Sequence, residues 1–197
     1  MAKNNEEYNK RKKHQDSIIN IDNILNAEIV NDPWPHAVID NVWNLNLEPN
    51  KNNRLPNATY VMWMNGVHDI FYDNIEPILN KFLSHDGGYK ERYKDLYYID
   101  YALQVQPPDS TSVIHIDHGR KLWSFVNYLF PINSNGTGLF DENKKFVREV
   151  KWKQNRGLAF SSTGPMNKRK ATWHEYKNDS KTDYRITMSV FICKRNE

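Results

Sequence analysis

The residues best suited to chemistry lie in Val113-Ile114-His115-Ile116-Asp117-His118. The stretch reads as a β-strand over 112–117, and side chains two apart on a strand point to the same face. His115 and Asp117 are therefore expected to offer an imidazole nitrogen and a carboxylate oxygen to one point in space. Such a pair needs a third partner to hold an ion, and His174 in Thr172-Trp173-His174-Glu175-Tyr176 is the best candidate. Two histidines and one carboxylate on one face of a metal suit non-haem Fe(II) and leave coordination positions open. The plainer reading is a surface strand with a local hydrogen bond for His115 and Asp117, and a core histidine beside Trp173 for His174.

A second chemical group follows in Arg185-Ile186-Thr187. The strand expected over 184–193 is otherwise apolar, with Ile186, Met188, Val190, Phe191 and Ile192. An arginine buried there is costly unless it is paired. A buried acidic ligand would satisfy it, because the planar fork of arginine accepts a carboxylate bidentately. The alternative partners are Asp183 and Glu175. The polar run 177–183 reads as a turn that would let the His174 and Arg185 strands form a hairpin.

The elements that must position these groups follow from periodicity. Residues 1–20 are charged and polar, with Lys10-Arg11-Lys12-Lys13-His14 read as a solvated surface segment. Residues 21–197 read as a single domain. His36 to Asn41, after Asp32-Pro33-Trp34-Pro35, is expected as a strand, and Tyr60 to Met64 as another. Tyr72 to Leu83 is the clearest helix, because Ile75, Ile78, Leu79, Phe82 and Leu83 form one apolar stripe. Asp86-Gly87-Gly88 stops it. From Leu96 the pattern is β, with strands at 96–105, 112–117, 122–130, 138–140, 145–151, 157–161, 171–175 and 184–193. Asn135-Gly136-Thr137-Gly138 reads as a turn. Helices followed by short strands predict a sheet sandwich or barrel with helices on one side, an α+β arrangement that is mainly β.

Composition excludes several classes. The single cysteine, Cys193, rules out an intrachain disulfide and a cysteine metal cluster. A net charge of +3 over 197 residues makes no case for nucleic acid. No apolar run is long enough for a membrane span, and the polar N-terminus is not a signal peptide. A cytoplasmic protein is expected.

Taken in order, these features resemble the Fe(II)/2-oxoglutarate-dependent oxygenase superfamily, particularly its prolyl-hydroxylase-like branch. The resemblance covers about residues 95–193 and is carried by His115-x-Asp117, Tyr128-Leu129, Gly136-Thr137-Gly138-Leu139, Phe160, His174 and Arg185-x-Thr187. Asp32 to Asn41 looks like the opening strand of such proteins. The resemblance implies a double-stranded β-helix, a jelly-roll relative. It implies that His115, Asp117 and His174 bind Fe(II), and that Arg185, assisted by Thr187, pairs with the distal carboxylate of 2-oxoglutarate. Tyr128 matches a position that contacts this cosubstrate; Asn127 lies on the opposite strand face, and Tyr128 is preferred. The reaction implied consumes O2, decarboxylates 2-oxoglutarate to succinate and hydroxylates an unactivated C–H bond. Halogenating relatives lack the carboxylate, so Asp117 favours hydroxylation. The substrate stays open between a peptidyl side chain, a small metabolite and a nucleotide. The alternatives are a cupin-type metal enzyme that does not use 2-oxoglutarate and a non-catalytic jelly-roll binding module.

Overall fold

A strand whose two faces carry different side chains separates two environments, and the strand that opens at Arg185 does so. The computed structural model describes residues 18–44, 66–83, 97–161 and 171–195. Its elements are α1 (Ile21–Asn26), β1 (His36–Ile39), helical residues 66–73 leading into α2 (Ile75–Leu83), β2 (Tyr97–Gln106), β3 (Ser110–Thr111) and β4 (Lys121–Phe130). They continue with β5 (Thr137–Phe140), β6 (Phe146–Val150), β7 (Gly157–Ser161), β8 (His174–Asn178) and β9 (Arg185–Lys194). A major sheet has the order β1-β7-β4-β9-β2 and a minor sheet the order β3-β8-β5-β6. Neighbouring strands are antiparallel throughout. This is the double-stranded β-helix expected from the sequence.

Along β9, Ile186, Met188, Val190 and Ile192 join the core formed with α2 and helical residues 66–73. Trp123, Phe125 and Leu129 of β4 do the same, against Phe71, Ile78, Leu79 and Phe82. Each such side chain contributes roughly 2 kcal/mol by leaving water. The opposite phase of these strands faces the minor sheet. There Tyr128, Leu158 and Phe160 meet Leu139 and Val150 in a smaller apolar cluster. The same inner face also buries the polar Ser124, Arg185, Thr187 and Ser189, with the apolar Val126 and Phe191 among them. A buried polar face between two sheets is poor core and good site.

Several expectations are corrected. Helical residues extend back to 66, the first described residue of that segment, and the helix breaks at Asn74, whose Nδ2 donates to the Ile70 carbonyl at 2.8 Å. Thr137 and Gly138 belong to β5 rather than to a turn, and the strand around His174 runs 174–178 rather than 171–175. The His174 and Arg185 strands form no hairpin, because β8 lies in the minor sheet and β9 in the major sheet. Residues 179–184 cross between the sheets, and Asn178 fastens the crossing by donating to the carbonyls of Pro107 and Asp183, both at 2.9 Å. The Tyr60–Met64 strand, the Asp86-Gly87-Gly88 stop and the 1–17 part of the charged segment lie outside the described residues.

The stretch 112–117 is not a strand. Ser110 and Thr111 pair with Asn178 and Lys177, but the next bridge joins His115 to His174. Four steps on one side thus match three on the other, so one extra residue is accommodated as a bulge. A one-residue slip reverses which face a side chain takes. Without it, His115 would follow Thr111 to the outer face; with it, His115 turns inward beside His174.

Candidate metal centre and anion site

His115 and His174 exchange both backbone hydrogen bonds, at 3.0 and 2.9 Å, so their side chains share a face. Their ring centroids are 4.4 Å apart. Each Nδ1 lies 2.8 Å from a backbone carbonyl, Val113 for His115 and Thr172 for His174. A carbonyl only accepts, so each Nδ1 carries the proton and each Nε2 keeps its lone pair. That tautomer is the one a metal ligand needs, and carbonyl partners of this kind orient the ring.

Asp117 completes the group: one ligand atom from each of His115, Asp117 and His174 lies within 4.8 Å of the others. The carboxylate is held at both oxygens. Lys121 Nζ donates to Oδ1 at 2.9 Å and Ser124 Oγ to Oδ2 at 2.5 Å. Burial works against the carboxylate's charge, but His174, Lys121 and the Ser124 hydroxyl together hold its pKa below the ordinary value. Asp117 is therefore ionised at neutral pH. The three residues fit a divalent ion with open positions.

Burial also lowers the pKa of His174, with Asp117 acting in the opposite direction, and it lowers that of His36. Above the ordinary value of 6.5 neither the folded nor the unfolded chain protonates these rings. As pH falls through that value the unfolded chain takes up protons that the folded chain refuses, so stability falls. The melting temperature of the metal-free protein is expected to drop from about pH 7.5 to about pH 5.5, read by calorimetry. A flat profile would mean that both rings protonate in place without penalty.

Arg185 opens β9 on the same inner face and is 1% exposed. Its Nη1 donates to Gln106 Oε1 at 2.5 Å, Nε to the Asn135 carbonyl at 3.2 Å and Nη2 to the Gly136 carbonyl at 3.5 Å. The guanidinium carbon lies 4.9 Å from the ring centre of Trp152, 5.4 Å from Tyr176 and 5.5 Å from Tyr128. Neither Asp183 nor Glu175 pairs with it, and no ion pair to it occurs among the described residues. Burial pulls its pKa down to about 10, which leaves it charged at neutral pH. A buried cation met only by neutral acceptors and rings is suited to receive an anion.

The candidate ligands His115, Asp117 and His174 share one pocket with Arg185, and Gln104, Glu175 and Ser189 line it too. Ser189 Oγ is buried without a hydrogen-bond partner among the described residues. Thr187 lies on the same strand face, with Oγ1 donating to Gln104 Oε1 at 3.4 Å. Tyr128 points inward as preferred, while Asn127 turns to the other face and accepts from Trp43 Nε1. The Tyr128 hydroxyl, however, donates to Thr137 Oγ1 at 2.8 Å, and the ring stacks on Trp152. It backs the arginine and does not line the pocket. Ser189 and Lys121 were not singled out from the sequence, whereas the segment from Gln104 to Ser112 reads there as a candidate pocket wall. The alternation of Arg185, Thr187 and Ser189 against Ile186, Met188 and Val190 was the available signal for Ser189.

Gly136 carries the carbonyl that receives Arg185, and it permits close approach: a Cβ there would lie 1.9 Å from the Val150 carbonyl oxygen. That oxygen belongs to the backbone and cannot swing aside. Gly136→Ala is expected to cost about 1–3 kcal/mol in denaturant unfolding, and to weaken anion binding by displacing the carbonyl.

No protein-family model and no curated protein matches this sequence. Solved structures do match. A prolyl hydroxylase from Trichoplax adhaerens, in complex with a hypoxia inducible factor oxygen degradation domain peptide fragment, is 14% identical with a TM-score of 0.52, over 95% of this chain and 92% of that one. A viral collagen prolyl hydroxylase from Paramecium Bursaria Chlorella virus-1, in its 2OG complex, is 15% identical with a TM-score of 0.51, over 85% of this chain and 99% of that one. At such identities the likeness establishes the shared fold.

Proposed function

We propose that this chain is an Fe(II)- and 2-oxoglutarate-dependent dioxygenase that hydroxylates an unactivated C–H bond and releases succinate and CO2. The carrying observation is one pocket that combines the His115–Asp117–His174 group with the buried charge of Arg185, which has no ion-pair partner among the described residues. Bound Fe(II) would supply the O2 chemistry, with 2-oxoglutarate as the electron source. The chain's own part is to hold and orient. His115 and His174 present Nε2, and Asp117, steadied by Lys121 and Ser124, presents a carboxylate oxygen. His115, Asp117 and His174 would hold the ion through three ligand atoms, a set that leaves coordination positions open. Arg185 would take the distal carboxylate, with Ser189 and Thr187 offering hydroxyls from the same strand face. The retained carboxylate of Asp117 favours hydroxylation over halogenation.

The fold neighbours are prolyl hydroxylases and one holds a peptide. Peptides are therefore the first substrates to screen, followed by amino acids and nucleosides, with succinate release as the readout. No described helix is long and apolar enough to cross a membrane. The primary test is anaerobic titration with Fe(II) and 2-oxoglutarate. An absorption band that needs both components supports the reading. Metal binding indifferent to 2-oxoglutarate points to a cupin-type enzyme, and absence of metal binding to a non-catalytic module.

A further inference from the structure

Gln106 and Arg185 are cross-strand partners, the last residue of β2 opposite the first of β9. Both are buried, at 4% and 1% exposure. The 2.5 Å bond from Arg185 Nη1 to Gln106 Oε1 is the only side-chain hydrogen bond the guanidinium makes among the described residues; its other acceptors are backbone carbonyls of Asn135 and Gly136. We propose that Gln106 is the residue that keeps Arg185 an anion receptor: it aims the guanidinium while staying neutral, and so leaves the positive charge for the ligand. This rests on the reading of that ligand as 2-oxoglutarate.

Folding alone gives no reason for glutamine here. A glutamate has nearly the same shape and could accept the same hydrogen bond. It would also supply the buried guanidinium with an opposite charge, which is the usual way a protein tolerates such a group. The amide therefore leaves an uncompensated buried cation in a pocket with metal-ligating side chains. The neighbouring contacts agree: among the described residues the guanidinium meets an amide oxygen, two backbone carbonyls and three rings, and the pocket's carboxylates bond elsewhere, Glu175 to Lys177 and Asp117 to Lys121. Gln104, two residues earlier on the same strand, is likewise an amide and accepts from Thr187. The strand thus meets Arg185 and Thr187 of β9 with neutral acceptors that orient without neutralising.

The experiment compares the full-length wild type, Gln106→Glu and Gln106→Leu. Each is loaded with Fe(II) under anaerobic conditions and titrated calorimetrically with 2-oxoglutarate; the metal-free proteins are also melted. Gln106→Glu is expected to bind 2-oxoglutarate at least ~30-fold more weakly, because the introduced carboxylate both occupies Arg185 and repels the ligand. Gln106→Leu removes one hydrogen bond and no charge, so its loss is expected to be smaller, roughly 3–10-fold. The melting temperature of Gln106→Glu is expected to equal or exceed that of the wild type. The inference is overturned if Gln106→Glu binds within ~3-fold of wild type, if the leucine variant is the weaker binder, or if the glutamate variant melts lower. A wild type that binds Fe(II) but not 2-oxoglutarate would instead reject the functional reading itself, before any variant is compared.

Discussion

Alanine at His174 is expected to abolish metal binding while leaving the protein folded. The ring would supply one of three ligand atoms, and the two left on the irregular 115–117 stretch would not fix an ion alone. Affinity for Fe(II), or for Co(II) as a spectroscopic substitute, should fall at least ~100-fold. The absorption band that depends on Fe(II) and 2-oxoglutarate together should vanish with it. The fold should survive, because truncation removes ring contacts to Phe160 at 5.1 Å and His115 at 4.4 Å but leaves the backbone bridge intact. We expect a stability loss of about 1–2 kcal/mol, set by the small cavity left behind. Circular dichroism and equilibrium unfolding separate the two effects. If His174→Ala bound metal as the wild type does, the three residues would not be the metal centre.

What the sequence disclosed about this site, and what it hid, has a physical logic. The alternation along β9 and the apolar stripe Ile75-Ile78-Leu79-Phe82-Leu83 are local patterns, and both reached the structure almost unchanged. The pairing of His115 with Asp117 was also legible, but for an incomplete reason. Strand periodicity predicted a shared face, whereas the structure has a bulge between Thr111 and His115 and only an isolated bridge at His115. The bulge leaves no glycine or proline within 112–114 to announce it, because its geometry is dictated by the register with β8. The crossover at 179–184 was misread for a related reason: a polar run looks the same whether it turns back within a sheet or passes to the other one. Side chains that act on other side chains were the hardest to see. Lys121 and Ser124 matter through the two oxygens of Asp117, and Gln106 through Arg185, so their roles exist only once the sheets are assembled. Spacing could have suggested Ser189, since it continues the polar phase of Arg185 and Thr187.

Loss of the Arg185 guanidinium is expected to do the converse of the His174 change: spare the metal and destroy the anion site. Arg185→Ala should weaken 2-oxoglutarate binding at least ~100-fold, the order expected when a buried charge loses its partner across an interface. Fe(II) affinity should stay within about threefold, because no metal ligand touches the guanidinium. Stability offers a second and less obvious readout. Alanine strips the acceptors at Gln106, Asn135 and Gly136 of their donor and opens a void beside Trp152, so a loss of roughly 2–4 kcal/mol is expected. Arg185→Met fills most of that void with apolar atoms and removes a desolvated cation that no carboxylate offsets. Replacing a buried charge by a hydrophobe of similar volume is often neutral or stabilising. Arg185→Met should therefore melt well above Arg185→Ala and near the wild type, yet bind 2-oxoglutarate as poorly as the alanine variant. Calorimetric titration and thermal unfolding on the same three proteins measure both quantities. Affinity that follows stability would make Arg185 a packing residue. Affinity lost equally in both variants, whatever their stability, would make its charge the reason it is there.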